Sequence, residues 1–266
     1  MTTLANVLRV LLSAVWTGIV GTPLVVCLYV RYFVGQGAAL LGRRDLLDRL
    51  LERNAWLSGW VAQRLWSPVL LAISGIHLRI REQVPIDWSR AHVICANHAS
   101  IFDVLAIARA VPPPFRFVAK RELVKWPIIG WSLLPAGQII VDRSNRRRAL
   151  RSIAEAAGRH IRGQVMFFVE GTRTHTGQLL PFKKGAFYFA LENRLPVLPT
   201  AIAGSYAALA RAPWWQLHPG RQIELSFLAP IPASADPREP GGEPAVEALL
   251  SLTRDRIAAS LAASSA

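Results

Sequence analysis

Residues 10–30 run without a charged side chain (VLLSAVWTGIVGTPLVVCLYV), between Arg9 and Arg31. A helix that crosses a bilayer needs ~20 such residues. The N-terminus is therefore expected to be a membrane-associated helix, or one arm of a hydrophobic hairpin enclosed by the fold. The run is too long for a secretory signal and no small-x-small cleavage site follows it. Val25 and Val26 before Cys27 also make a poor lipoprotein cleavage site. Gly18, Gly21 and Pro23 are candidate kink points. Arg31, Arg43, Arg44, Arg49 and Arg53 follow the run while only Arg9 precedes it, so the positive-inside rule puts the rest of the chain in the cytoplasm. A second apolar stretch, residues 55–76, contains Gln63, Arg64 and Pro68 and is a worse span. A helix pair dipping into one leaflet fits as well as two spans. Trp56, Trp60 and Trp66 suit either an interface or a core.

The chain has 266 residues, 31 basic against 17 acidic side chains, and a formal charge of +14. That length suits one large domain with an appendage. With 52% hydrophobic residues and 18% charged, it is not a disordered chain. Apolar and basic together fit a protein that meets a membrane and an anion. A tethered nucleic-acid binder would also be basic, but it needs a recognition helix or an aromatic platform among its arginines. Here Trp and Phe concentrate in apolar segments, so no nucleic-acid partner is expected. Two cysteines, Cys27 and Cys95, exclude a disulfide framework and point to a reducing compartment. His77, His92, His160, His175 and His218 lack metal-ligand spacing, and no metal is assigned.

From residue 76 the pattern becomes short apolar strands alternating with helices. Strands are predicted at 77–81, 93–96, 115–119, 138–141, 165–169, 197–203 and 222–227. Helices are predicted at 101–111, 146–162, 185–193 and 245–262, and an exposed loop at 230–244. Such alternation implies an α/β fold, a mixed sheet flanked by helices and preceded by the N-terminal helical segment.

Two clusters carry chemistry. In Asn97-His98-Ala99-Ser100-Ile101-Phe102-Asp103, a His and an Asp lie five residues apart. On one helix they would diverge by ~140°. They can pair only if His98 sits in the preceding loop and Asp103 in the first turn. A carboxylate on one imidazole nitrogen fixes the tautomer and frees the other nitrogen as a base. In Phe168-Val169-Glu170-Gly171-Thr172-Arg173, a strand runs into a loop with an acid, a glycine that permits close backbone approach, and an arginine fork suited to phosphate. Ser100 has no G-x-S-x-G context, which argues against a serine hydrolase. Cys95 reads as a small core residue.

These clusters resemble the glycerophospholipid acyltransferase family, in particular bacterial 1-acylglycerol-3-phosphate acyltransferases. The N-H-x-x-x-x-D block is NHASIFD at 97–103. A second block runs over residues 117–147, the F-P-E-G-T-R block is FVEGTR with FKKGAF at 182–187, and a proline-bearing strand block is LPVLPTAI at 195–202. The likeness covers roughly residues 75–230. One departure is Val169 where the family has proline, expected to alter loop geometry more than chemistry.

The resemblance implies membrane-anchoring helices over 1–75 and an acyltransferase domain over 76–266. It implies transfer of a fatty acyl group from acyl carrier protein or coenzyme A, as thioester co-substrate, to lysophosphatidic acid, yielding phosphatidic acid. No separate cofactor is implied. His98 would be the general base, oriented by Asp103. Lys120 and Arg173 match positions that hold the acceptor phosphate, Glu170, Gly171 and Thr172 belong to the acceptor-binding loop, and Asn97 shapes the loop around His98. Backbone N–H groups near the helix after His98 would stabilise the oxyanion. Lys183 and Lys184 would contact phosphate or face water. Arg143, Arg146, Arg147, Arg148 and Arg151 crowd a predicted helix start, where they oppose its dipole unless anionic headgroups, an acidic carrier or solvent compensate them. The implied location is the cytoplasmic side of a bacterial inner membrane. A phosphate-free acceptor such as lyso-ornithine lipid is the alternative within the family. A non-catalytic lipid binder would have no need of His98 with Asp103.

Overall fold

A computed structural model describes residues 2–142, 152, 163–210, 213, 216–233 and 242–265. Helix α1 (Thr2–Leu40) is followed by α2 (Arg44–Val61), a π-turn (Ala62–Trp66) and α3 (Ser67–Ile73). The π-turn sits one residue before Ser67-Pro68. Pro68 has no N–H to give the Arg64 carbonyl and its ring crowds that carbonyl, so the helix widens there instead of breaking. Then come β1 (His77–Glu82), β2 (Val93–Ala96), α4 (Phe102–Ala110), β3 (Phe115–Lys120), a 3-10 turn (Arg121–Lys125), α5 (Ile129–Leu133) and β4 (Ile139–Val141). The chain continues with β5 (Gln164–Phe168), α6 (Gly185–Glu192), β6 (Val197–Ala203), α7 (Ser205–Ala208), β7 (Gln222–Phe227) and α8 (Gly242–Ser265).

The strands form one seven-stranded sheet in the order β1-β7-β6-β2-β5-β3-β4. Only the β6–β7 pairing is antiparallel, so the sheet is mixed. Its central strands are buried on both faces. In β2, Val93 and Cys95 join one core with Phe167, Phe187 and Ile257, while Ile94 and Ala96 join the other with Leu105, Leu70 and Leu71. That two-residue alternation between two apolar layers explains why β2 reads as an unbroken apolar run. Because β2, β5 and β3 are parallel, their C-terminal ends share one edge of the sheet, where ligands of open α/β sheets gather.

Helix α1 is apolar on both sides. Leu28 is buried, and Thr17, Val20, Gly21, Leu24 and Val25 face the body, while Leu8, Val15, Ile19, Val26 and Val30 are exposed. It is fastened along its length. Asn6 Nδ2 donates to Leu217 O (2.8 Å), Trp66 Nε1 donates to Thr17 Oγ1 (3.1 Å), and Asn54 Nδ2 donates to Leu28 O (3.0 Å). A Cβ on Gly35 would meet Leu47 at 2.9 Å. Neither alternative drawn from the sequence is complete: the helix is neither enclosed by the fold nor free of it.

One expectation changes. Residues 230–244 are not all loop, since Ile231 bridges to Val197 and Gly242–Pro244 open α8. The predicted helix at 146–162, with its arginine cluster and His160, lies outside the described residues apart from Ser152.

Candidate active site

His98 follows β2 in a loop and Asp103 is the second residue of α4, the arrangement their spacing required. His98 Nδ1 lies 2.8 Å from Asp103 Oδ2, and Asp103 is fully buried. The same oxygen accepts the N–H groups of Ala99 (2.6 Å) and Ser100 (2.8 Å). The carboxylate thus fixes the loop and the ring together. Both of these N–H groups are engaged by Asp103. Ser100 is buried and its Oγ accepts the Phe102 N–H (3.3 Å).

The His98 ring lies flat on Phe168, with centroids 3.9 Å apart and planes 15° from parallel. Phe168 ends β5, so the sheet itself sets the ring's plane. The FVEGTR block contains Phe168, but nothing in its spacing announces this contact.

Asn97 turns its amide toward β6. Its Nδ2 donates to Ile202 O (2.9 Å) and its Oδ1 accepts the Ile202 N–H (2.8 Å). It extends the β2–β6 pairing by one side-chain rung and positions His98. Glu170 is likewise turned inward. One carboxylate oxygen accepts the His98 N–H (2.7 Å) and the other the Leu180 N–H (2.8 Å). Burial, opposed by these two donors, pushes the Glu170 carboxyl above the usual carboxylate range. Glu170 braces the two loops through these bonds.

That brace carries a prediction. Gln at position 170 can accept only one of the two N–H donors, and orphaning the other costs about 1–3 kcal/mol of stability. A carboxyl whose pKa is raised by folding contributes stability that is complete below its unfolded value and lost as pH rises through the folded value. The melting-temperature gap between the native chain and Glu170→Gln is therefore widest at low pH and narrows toward neutrality. Thermal melts across that range check it.

Gly171 has φ +74, and a Cβ there would meet Lys183 at an ordinary 3.5 Å. Backbone conformation, more than crowding, calls for glycine. Val169 N–H donates to Ala96 O (3.1 Å) and Val169 O accepts the Lys183 N–H (2.7 Å). A proline at 169 could not make the first of these bonds, so the departure adds a rung between β5 and β2. Thr172 is exposed and Arg173 is half-buried. Thr174 N–H donates to His98 O (2.9 Å), which holds the 171–174 loop against the His98 loop.

Lys120 ends β3. Register sets it level with Val169, two strand spacings or about 10 Å from Asn97, and its Nζ lies 3.3 Å from Glu122. Lys184 neither faces water alone nor points at a phosphate. Its Nζ pairs with Glu243 and Glu247 of α8, each at 2.5 Å, and these carboxylates hold its pKa above the ordinary lysine value. Lys183 is exposed. Cys95 is fully buried in the core. Among the described residues no three His, Cys, Asp or Glu side chains converge.

An apolar cavity of about 160 Å³ opens between α1, α2, α5 and β3. Its lining includes Val20, Leu24, Val61, Val104, Phe117 and Leu133. Phe117 lies 6.4 Å from Phe168, and so links this cavity to the ring that carries His98.

A 1-acyl-sn-glycerol-3-phosphate acyltransferase of Cocos nucifera is 39% identical over 122 residues, 45% of this chain and 39% of that one. An uncharacterized acyltransferase of Schizosaccharomyces pombe is 34% identical over 171 residues, 63% of this chain and 61% of that one. The human 1-acyl-sn-glycerol-3-phosphate acyltransferase beta is 33% identical over 127 residues, 47% of this chain and 46% of that one. The matches span from about two fifths to three fifths of these relatives' lengths. The crystal structure of the 1-acyl-sn-glycerophosphate (LPA) acyltransferase PlsC from Thermotoga maritima has a similar fold, with TM-score 0.59 and 22% identity over 95% of this chain and 96% of that one. The acyltransferase family model matches residues 76–203, the segment that holds the dyad and the loops around it. Over those residues the chain is similar to the acyltransferase family.

Proposed function

We propose that this chain transfers a fatty acyl group from an acyl thioester to the free hydroxyl of 1-acylglycerol-3-phosphate, giving phosphatidic acid for phospholipid synthesis. The observation that carries the reading is the His98–Asp103 contact in a loop at the C-terminal edge of the sheet. A thioester is already activated, so the protein need supply no covalent nucleophile. With Nδ1 held by Asp103, Nε2 of His98 accepts the hydroxyl proton. The alcohol oxygen attacks the thioester carbonyl, a tetrahedral oxyanion forms, the C–S bond breaks, and the proton passes from His98 to the leaving thiolate. Acyl carrier protein and coenzyme A are the proposed donors, with no separate cofactor. The cavity between α1, α2, α5 and β3 offers apolar walls to an acyl chain.

Arg173 and Lys120 are proposed to hold the acceptor phosphate, with Gly171 and Thr172 shaping the approach. Loss of a charge-assisted hydrogen bond is worth about 1.5–3 kcal/mol, so Arg173→Ala raises the acceptor KM roughly 10- to 100-fold and leaves kcat within a few-fold. Steady-state kinetics check it, and an unchanged KM removes the phosphate contact.

The long apolar helix is consistent with membrane association. α1 has 39 residues, about 58 Å of helix. Fastened to the body from Asn6 to Gly35, it has no free ~20-residue stretch to thread a bilayer. We place it along the cytoplasmic surface of a bacterial inner membrane, with its bare stripe in one leaflet. Assay of the purified full chain with lysophosphatidic acid and each donor tests the reaction. Acylation of a phosphate-free lysolipid, with none of lysophosphatidic acid, overturns it.

A further inference from the structure

We infer that residues 126–134 form a second bilayer-docking surface, which sets the sheet edge carrying His98 against the lipid headgroups. The inference rests on the proposed one-leaflet placement of α1. The segment leaves β3 at the same sheet edge as the His98 loop. Trp126, Ile129, Trp131 and Leu134 are 55%, 39%, 49% and 47% exposed. Neighbouring large apolar side chains left bare in this way mark an interaction surface.

The occupant is argued from continuity and chemistry. Ile128, at φ +62, wedges against α1, where a Cβ on Gly21 would sit 2.3 Å from its Cγ2. At 100° per residue, Gly21 and Val25 lie on the margin of the buried face of α1, beside the stripe that carries Leu11, Val15 and Val26. The segment therefore abuts the margin of a face already assigned to lipid. Two tryptophans beside the exposed cations Arg121 and Lys125 match the depth of a headgroup region, where indole rings and basic side chains both settle. Ile101, 46% exposed beside the dyad, adds an apolar contact at the mouth of the site. A lysolipid acceptor held in the leaflet would then present its hydroxyl to His98 without leaving the membrane.

The test uses the full chain with Cys27→Ser, Cys95 being buried beyond labelling. An environment-sensitive fluorophore is placed in turn on Trp131→Cys, on Val26→Cys in the α1 stripe, and on Ser89→Cys at the opposite sheet edge. Vesicles of phosphatidylethanolamine and phosphatidylglycerol are added, with brominated lipid as quencher. The proposal expects a blue shift and quenching at positions 131 and 26 and neither at 89. A probe at 131 that stays in water while 26 enters lipid overturns the second surface and leaves the α1 placement standing. If 26 also stays in water, both fall. A probe at 131 already shielded before vesicles are added, with a dimer in light scattering, puts a second copy there and overturns the proposal. In a second readout, Trp126→Glu with Trp131→Glu lowers turnover of vesicle-embedded lysolipid roughly tenfold while turnover of detergent-dispersed lysolipid stays within about twofold. Equal loss in both assays overturns docking. A chain inactive in detergent before mutation would sink the proposed reaction, and the fluorophore arms would still decide this surface.

Discussion

His98→Ala is expected to lower kcat for acyl transfer by about 10²–10⁴-fold, the range of a positioned general base. Alanine leaves nothing to take the hydroxyl proton, while the surrounding architecture has other supports. Asp103 still accepts the Ala99 and Ser100 N–H groups, Glu170 still accepts the backbone N–H of residue 98, and Asn97 still pairs with Ile202. The loop should keep its course, so thermal melting and vesicle binding remain close to native while turnover collapses. Kinetics with saturating acceptor measure the effect. Turnover within tenfold of native would remove His98 from the role of base.

Deletion of residues 1–75 is expected to leave the remainder unable to fold, instead of releasing a soluble body from the membrane. From the sequence, this segment reads as an anchor attached to a catalytic domain. In the structure its side chains help build the core. Leu70 and Leu71 pack with Leu105, Ile107 and Phe115, Ser67 Oγ donates to Leu105 O (2.6 Å), and Glu52 pairs with buried Arg116 at 2.6 Å. Burial of each large apolar side chain is worth about 1.5–3 kcal/mol. Losing several approaches the whole 5–15 kcal/mol that holds a domain together. The expected product is aggregated material without a cooperative melt. A soluble, monomeric fragment with a sharp transition would show that residues 76–266 fold alone.

The two deductions from the sequence that went furthest were local. Alternation and apolar runs marked the strands at 93–96, 197–203 and 222–227, because a strand's side-chain period of two is written directly into its neighbours. The five-residue separation of His98 and Asp103 likewise left one way for them to meet, across a loop-to-helix boundary. Longer-range roles were not legible. Asn97 and Ile202 lie 105 residues apart, and Glu170 and His98 lie 72 apart. Only the packing of β6 and β5 beside β2 reveals which distant partners let Asn97 and Glu170 hold the His98 loop. Lys184 has the same history: its partners Glu243 and Glu247 are supplied by α8.

By itself, the sequence determined an apolar N-terminal helix, an α/β body and a paired imidazole and carboxylate. Each follows from residues close enough along the chain to constrain one another directly. The tertiary structure alone decided that α1 lies along the body, that Glu170 and Asn97 face inward, and that Trp126, Ile129, Trp131 and Leu134 are left bare beside α1. Those outcomes depend on which distant groups satisfy each buried donor and acceptor, and chain order does not contain that pairing.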